Sequence, residues 1–197
     1  MVTCFLEPKA TFALDFDRFL AKQSLQTVSL QFQIKPPMPA KPMQWFKTEQ
    51  REGRTLVFDP LRRRWVALTP EEEVRQKMLY LLVEHLQVPA GLVAVEYSLK
   101  VNGLDKRADA VVFGPDGAPL MVVECKAPTV EVTPVVLDQA LRYYSAMSCR
   151  AQGASASMAA SPKYLLLTNG TALHCFEAGE QGLQPLDHLP DYAEMKA

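Results

Sequence analysis

The sequence predicts a single α/β domain, a mixed β-sheet flanked by helices. Three observations predict it. Apolar residues recur at helical spacing from Val74 to Leu82 and then, past Pro89 and Gly91, at a period of two. Two Thr-Pro pairs, Thr69-Pro70 and Thr133-Pro134, mark helix starts on either side of three strand-like runs. The composition (197 residues, 48% hydrophobic, 22% charged) is that of one globular unit able to bury a core without disulfides or a structural metal.

Charge and cysteine usage remove several classes. With 21 bases against 22 acids the net charge is -1, which excludes a histone-like basic protein and an acidic disordered one, though not a local basic patch. Cys4, Cys125, Cys149 and Cys175 form no C-x-x-C pair, and His85, His174 and His188 form no H-E-x-x-H, so no zinc site is expected. Reduced thiols in a cytoplasmic protein are the plain reading. No apolar run approaches the roughly 20 residues of a membrane span. The acid-containing N-terminus is a poor secretory signal.

Residues 1–46 read as an extension. Val28, Leu30, Phe32 and Ile34 alternate with polar residues like a half-buried strand, and Pro36, Pro37, Pro39 and Pro42 read as a stiff linker. The folded domain is expected over 47–180. Thr55–Phe58 and Trp65–Leu68, separated by the Asp59-Pro60 turn signal, predict a hairpin. Lys47, Arg51, Arg54, Arg62, Arg63 and Arg64 outnumber Glu49, Glu52 and Asp59 there. The surplus fits a solvated sheet edge or, less readily, a phosphate-contacting one.

Thr69 can cap the first helix, Pro70 suits its first position, and Glu72 stands where a capping-box acid belongs. Helical spacing continues to about Gln87, with His85 as a packed histidine. Leu92–Lys100 and Arg107–Phe113 then predict strands about an Asn102-Gly103 turn. After Pro115-Asp116-Gly117, Leu120–Lys126 is apolar until Glu124, so it belongs at the centre of its sheet. The second helix carries Leu137, Ala140, Leu141 and Tyr144 on its apolar face. Ser148–Ser161 reads as a helix tail and flexible loop. Tyr164–Leu167 and Ala172–Glu177 predict two more strands about Asn169-Gly170. Residues 181–197, polar and proline-interrupted, read as a mobile tail.

One constellation carries chemistry. Asp109 lies mid-strand in KRADAVVF, and Glu124 and Lys126 share one face near the end of an apolar strand. Charged groups are costly there without a reason. An antiparallel register with Asp109 opposite Glu124 sets Phe113 opposite Leu120 and leaves Gly114–Pro119 as the loop. Two carboxylates so placed can bind a hard divalent cation such as magnesium. Beside it, Lys126 can position or deprotonate a water, which makes a metal-dependent phosphodiester hydrolase possible. Blander readings stand beside this one: Asp109 pairing with Lys106 or Arg107, and Glu124 with Lys126 merely ending a strand. Cys125 points to the opposite face and reads as a buried hydrophobe.

Asp109 with Glu124-Cys125-Lys126 resembles the D…(D/E)-x-K signature of the PD-(D/E)XK nuclease superfamily, and Gln139-x-x-x-Tyr143 resembles the Q-x-x-x-Y motif of its RecB-like and type I restriction branches. The stretches LTPEEEVRQKMLYLLVEHLQVP, KRADAVVF, VVECKAP, DQALRYY and YLLLTNG, in that order, are similar to the N-terminal domain of type I restriction enzyme R subunits and to small stand-alone proteins of that group. The resemblance spans roughly Glu52 to Glu177. It departs at Ala108, where the superfamily often has proline, and in the longer Ser148–Ser161 loop.

That resemblance implies a restriction-endonuclease-like fold and a magnesium- or manganese-dependent nuclease. Asp109 and Glu124 would hold the metal with the Cys125 backbone carbonyl, and Lys126 would orient the water. Gln139 would steady the site, Tyr143 would pack or contact nucleic acid, and Glu71 or Glu72 would add an acid from the first helix. The expected partner is nucleic acid, foremost DNA. No G-x-x-x-x-G-K-[ST] occurs, so a motor or specificity function would come from a partner protein. The rivals are a catalytically idle nucleic-acid-binding or assembly module of the same fold, and a protein-interaction domain using residues 1–45.

Overall fold

A computed structural model describes residues 45–101, 104–133, 144, 161–179 and 182–197. The extension strand and proline linker, the Asn102-Gly103 turn and most of the second helix, including Gln139 and Tyr143, lie outside the described residues.

The chain opens with a three-stranded antiparallel sheet, β1 (Thr48–Arg51), β2 (Arg54–Asp59) and β3 (Arg64–Ala67). β2 and β3 are the expected hairpin, and Phe58 faces Trp65 across it. β1 is an addition, because TEQR carries no apolar alternation to reveal it. Its turn to β2 uses Glu52 and Gly53, both at positive φ, the backbone that two-residue hairpin loops require. Between β2 and β3 the Asp59 carboxylate accepts from the backbone N–H groups of Leu61 and Arg62, at 2.9 and 2.7 Å. An aspartate that folds back on its own backbone in this way fixes the turn.

Helix α1 (Pro70–Tyr80) starts where expected, with the Thr69 hydroxyl accepting from the Glu72 N–H at 3.1 Å. The capping box is not completed. The Glu72 carboxylate turns instead to Arg62, Arg75 and Gln76. The helix then widens into a π-helical turn over Leu81–His85 and ends at Gln87, whose φ is 59°. His85 is half-buried, edge-on against Tyr80.

The main sheet has six strands in chain order: β4 (Val93–Val101), β5 (Leu104–Phe113), β6 (Pro119–Cys125), β7 (Tyr164–Thr168), β8 (Leu173–Gly179) and β9 (Gly182–Leu186). All neighbours are antiparallel except β6 and β7. That one parallel pair needs a crossover connection, and the helix expected from Thr133-Pro134 onward belongs to that stretch of sequence. Both faces of the sheet centre are buried, so β6 is apolar almost throughout, as expected of a central strand. Val74, Met78 and Leu79 of α1 and Leu82 of the π-helical turn join Ala110, Val112, Met121 and Val123 in one core cluster. Val111, Val122, Leu165, Leu167 and Phe176 form another. Among the described residues no helix is long and apolar enough to cross a membrane.

The C-terminal residues do not form the mobile tail that their composition suggests. β9 pairs with β8 as an edge strand, the position where Pro185 costs no ladder bond. A short helix, α2 (Tyr192–Lys196), follows behind a capping box made by Asp191 and Glu194. It buries Tyr192 and Met195 in the α1-side core, and the Tyr192 hydroxyl donates to the Phe113 carbonyl at 3.2 Å. Two anchors on a five-residue helix were too few for periodicity to show. Asp191→Ala should cost about 1 kcal/mol of stability through loss of the cap. A urea unfolding midpoint equal to that of the wild type would refute that assignment.

Candidate functional site

β5 and β6 pair Ala110 with Val123, Val111 with Val122 and Val112 with Met121. Continued by one residue, this ladder sets Asp109 opposite Glu124, the register expected from the sequence. The far end differs. A bulge at Val112/Phe113 makes Phe113 face Pro119 rather than Leu120, which shortens the loop. Strand alternation then puts Glu124 on the Val122 side of β6 and Cys125 on the other. Cys125 is 1% exposed within the α1-side core, and burial pushes its thiol well up, so its side chain acts as packing.

Asp109 and Glu124 are both buried, at 8% and 3% exposure. One Asp109 oxygen accepts from the Cys125 N–H at 2.6 Å. The other accepts from Arg75 Nε at 3.0 Å and from Arg75 Nη2. The cation holding Asp109 is thus on helix α1 and is neither Lys106 nor Arg107. Glu124 Oε1 accepts from Lys126 Nζ at 2.7 Å. Glu124 Oε2 is buried with no partner among the described residues.

These environments set the charges. Burial, reinforced by the nearby Asp109 charge and opposed by Lys126, pushes the Glu124 carboxyl up to about 7. Burial works against the Lys126 charge, but the bond to Glu124 outweighs it and holds the ammonium above its ordinary range. Arg75 is likewise held firmly charged, because Asp109 and Glu72 overcome its burial. Asp109, Glu124, Lys126, Arg75 and Glu71 open onto one cleft of about 500 Å³, which Ser98, Asp105, Lys106 and Arg107 also line.

Sequence reasoning missed the network behind the cleft. Arg62 bridges Asp59 at 2.6 Å, Glu72, and Glu96 at 2.9 Å. Gln76 donates to Asp59 at 2.8 Å and to Glu72 at 2.9 Å. Glu72 also binds Arg75, which reaches Asp109 and, at 3.3 Å, Glu71. The β2–β3 hairpin is therefore tied to Asp109 through two arginines and their carboxylates. The i, i+3, i+4 spacing of Glu72, Arg75 and Gln76 was the available signal, since those positions share a helix face. The basic surplus of the hairpin is partly absorbed the same way, with Arg62 and Arg64 on Glu96 and Arg51 on Glu49.

Glu96 is unusual in itself. It stands within β4 at a φ of 54°, a backbone few non-glycine residues adopt. The β4–β5 ladder pairs Val95 with Ala110 and Tyr97 with Ala108 and skips the step between, where Glu96 would meet Asp109. Strain of this kind costs of order 1–3 kcal/mol and persists only where surrounding contacts impose it. Here those contacts are Arg62, Arg64 and Arg107, the last at 3.2 Å.

As a cation site the cleft is a partial fit. Among the described residues, no group of three or more His, Cys, Asp or Glu side chains gathers closely enough to cage a metal. Two neighbouring buried carboxylates, one with an oxygen unpartnered among the described residues, nevertheless suit magnesium, which binds through one or two carboxylates and keeps several waters.

Two solved structures resemble part of this chain. The fragment described as an HsdR subunit of a type I restriction enzyme from Vibrio vulnificus is 22% identical, over 53% of this chain and 20% of that one, with a TM-score of 0.38. The type IIG restriction endonuclease BpuSI is 18% identical, over 59% of this chain and 14% of that one, with a TM-score of 0.35. The chain thus spans a fifth or less of these solved proteins. No curated protein matches it. The family model described as "Type I restriction enzyme R protein N terminus (HSDR_N)" matches residues 70–190, which run from the first residue of α1 past β9. With more than half its length covered by that model, and with a mixed sheet compatible with a restriction-endonuclease-like fold, the chain belongs to the family of type I restriction enzyme R protein N termini.

Proposed function

We propose that this chain is a metal-dependent nuclease component of a restriction or DNA-handling system that hydrolyses phosphodiester bonds. The observation that carries the reading is the convergence of Asp109, Glu124 and Lys126 on one cleft, with Glu124 Oε2 buried and unpartnered among the described residues. Asp109 and Glu124 would hold magnesium or manganese together with the Cys125 backbone carbonyl. When bound, such an ion neutralises charge on a phosphoryl group and acidifies a water. The chain's own part is positional. The Cys125 N–H and Arg75 fix the Asp109 carboxylate. Lys126, anchored to Glu124, presents a cation where an attacking water would be oriented. Gln139 would steady the site from the crossover helix, and Tyr143 would meet nucleic acid. A partner protein would supply motor or specificity functions. The reading places the chain in the cytoplasm, where Cys125 and Cys175 stay reduced.

Cleavage of plasmid and single-stranded DNA with magnesium or manganese tests this. Asp109→Ala and Lys126→Ala should each lose about 100-fold or more in rate, the scale of a lost catalytic group. A wild type that cuts nothing, or variants that cut equally well, would overturn it. One observation favours the catalytically idle alternative: both Asp109 oxygens are already engaged, by Arg75 and by the Cys125 N–H. A calorimetric magnesium titration addresses it. Binding that disappears in Glu124→Ala supports the metal site, and no binding by the wild type favours the idle module.

A further inference from the structure

We infer that Arg64 and Arg107, gathered on Glu96, form a clamp for the phosphodiester backbone of duplex DNA beside the cleft, with Glu96 as its internal competitor. The inference deepens the proposed function and rests on it. Two guanidinium groups from different sheets, Arg64 on β3 and Arg107 on β5, meet on one carboxylate at 2.9 and 3.2 Å. Their side chains are 59% and 62% exposed, whereas that of Glu96 is 17% exposed. The carboxylate already serves Arg62, whose side chain is 9% exposed. One negative charge is therefore divided among three cations, and the two outward-facing ones are left incompletely neutralised.

Guanidinium forks bind phosphate oxygens as readily as carboxylates. A phosphate arriving from solvent meets two exposed donor groups that need only rotate away from Glu96. The patch is continuous with the cleft, because Arg107 also lines it. The second observation is the backbone of Glu96. The position takes a left-handed conformation in mid-strand, opposite the step that holds Asp109, and so brings its carboxylate to the arginines. A carboxylate held there in the absence of nucleic acid occupies the place of a phosphate oxygen and keeps the arginines from binding anions indiscriminately.

The test is equilibrium binding of a fluorescent DNA duplex to the full chain in EDTA, repeated across a salt series. The double variant Arg64→Gln/Arg107→Gln should bind more weakly, and the slope of log affinity against log salt should shrink by about 0.9 for each phosphate contact removed. Glu96→Gln should bind more tightly than wild type. Lys77→Gln, which removes an exposed charge on α1 paired to Glu73, should change neither affinity nor slope appreciably. Wild-type slopes in the double variant, an equal loss in Lys77→Gln, or unchanged affinity in Glu96→Gln would overturn the clamp. A wild type that binds duplex in EDTA yet cuts nothing in the magnesium and manganese cleavage assay would leave the clamp standing and remove the nuclease reading. A wild type that binds no DNA would remove both.

Discussion

Arg75→Met should lower the unfolding free energy by about 3–5 kcal/mol, the scale seen when one partner of a buried ion pair is removed. The reason is what remains behind. Arg75 is 8% exposed and engages Asp109, Glu72 and Glu71 at once. Methionine fills much of the same volume but leaves Asp109 without its only described side-chain cation and Glu72 with Arg62 as its one remaining described cation, beside Gln76. Lysine is a poor rescue, because a point charge cannot serve Asp109 and Glu72 with separate guanidinium nitrogens. Urea unfolding at neutral pH measures the loss, with an unchanged m-value showing that only stability moved. The double variant Arg75→Met/Asp109→Asn should recover a substantial part of it, since the stranded charge is then gone. A loss below about 1 kcal/mol in Arg75→Met would mean that the network contributes no more than a surface pair.

Arg75 also explains how much of the site was legible. The Asp109–Glu124 register could be read because a short loop joins two strands of period two, and a slip by one residue would put the two acids on opposite faces. α1 could be read because Thr69-Pro70 is local chemistry. The partner of Asp109 could not be read that way, since Arg75 lies 34 positions away and reaches it through tertiary packing. For the same reason Glu72 fits a capping box in sequence and serves two arginines in the fold. A local rule gives way where a stronger nonlocal partner exists. β1, β9 and α2 were hidden for a different reason: each is short, and its few apolar anchors are supplied with neighbours by the rest of the chain.

Glu124→Gln should stabilise the metal-free protein at pH 8 and not at pH 4.5. The sign follows from proton binding. The unfolded carboxyl releases its proton near 4.5, and the folded one, pushed up by burial and by Asp109, near 7. Between those values the folded state holds the proton more tightly, so stability falls as pH rises and the full penalty is present above 7. The interval from 4.5 to about 7 corresponds to roughly 3 kcal/mol at most. The measured gain will be smaller, because glutamine also removes the charge that Lys126 leans on. Thermal melts in EDTA across this range give the test, and a variant less stable than wild type at pH 8 would refute the burden assigned to Glu124. The same substitution connects stability to function. A carboxylate that is costly when ionised is stabilised by whatever cation comes to share it, so added magnesium at pH 8 should raise the wild-type melting temperature. Glu124→Gln, already relieved of that charge, should gain little from the ion. Equal magnesium responses in the two proteins would place the cation elsewhere.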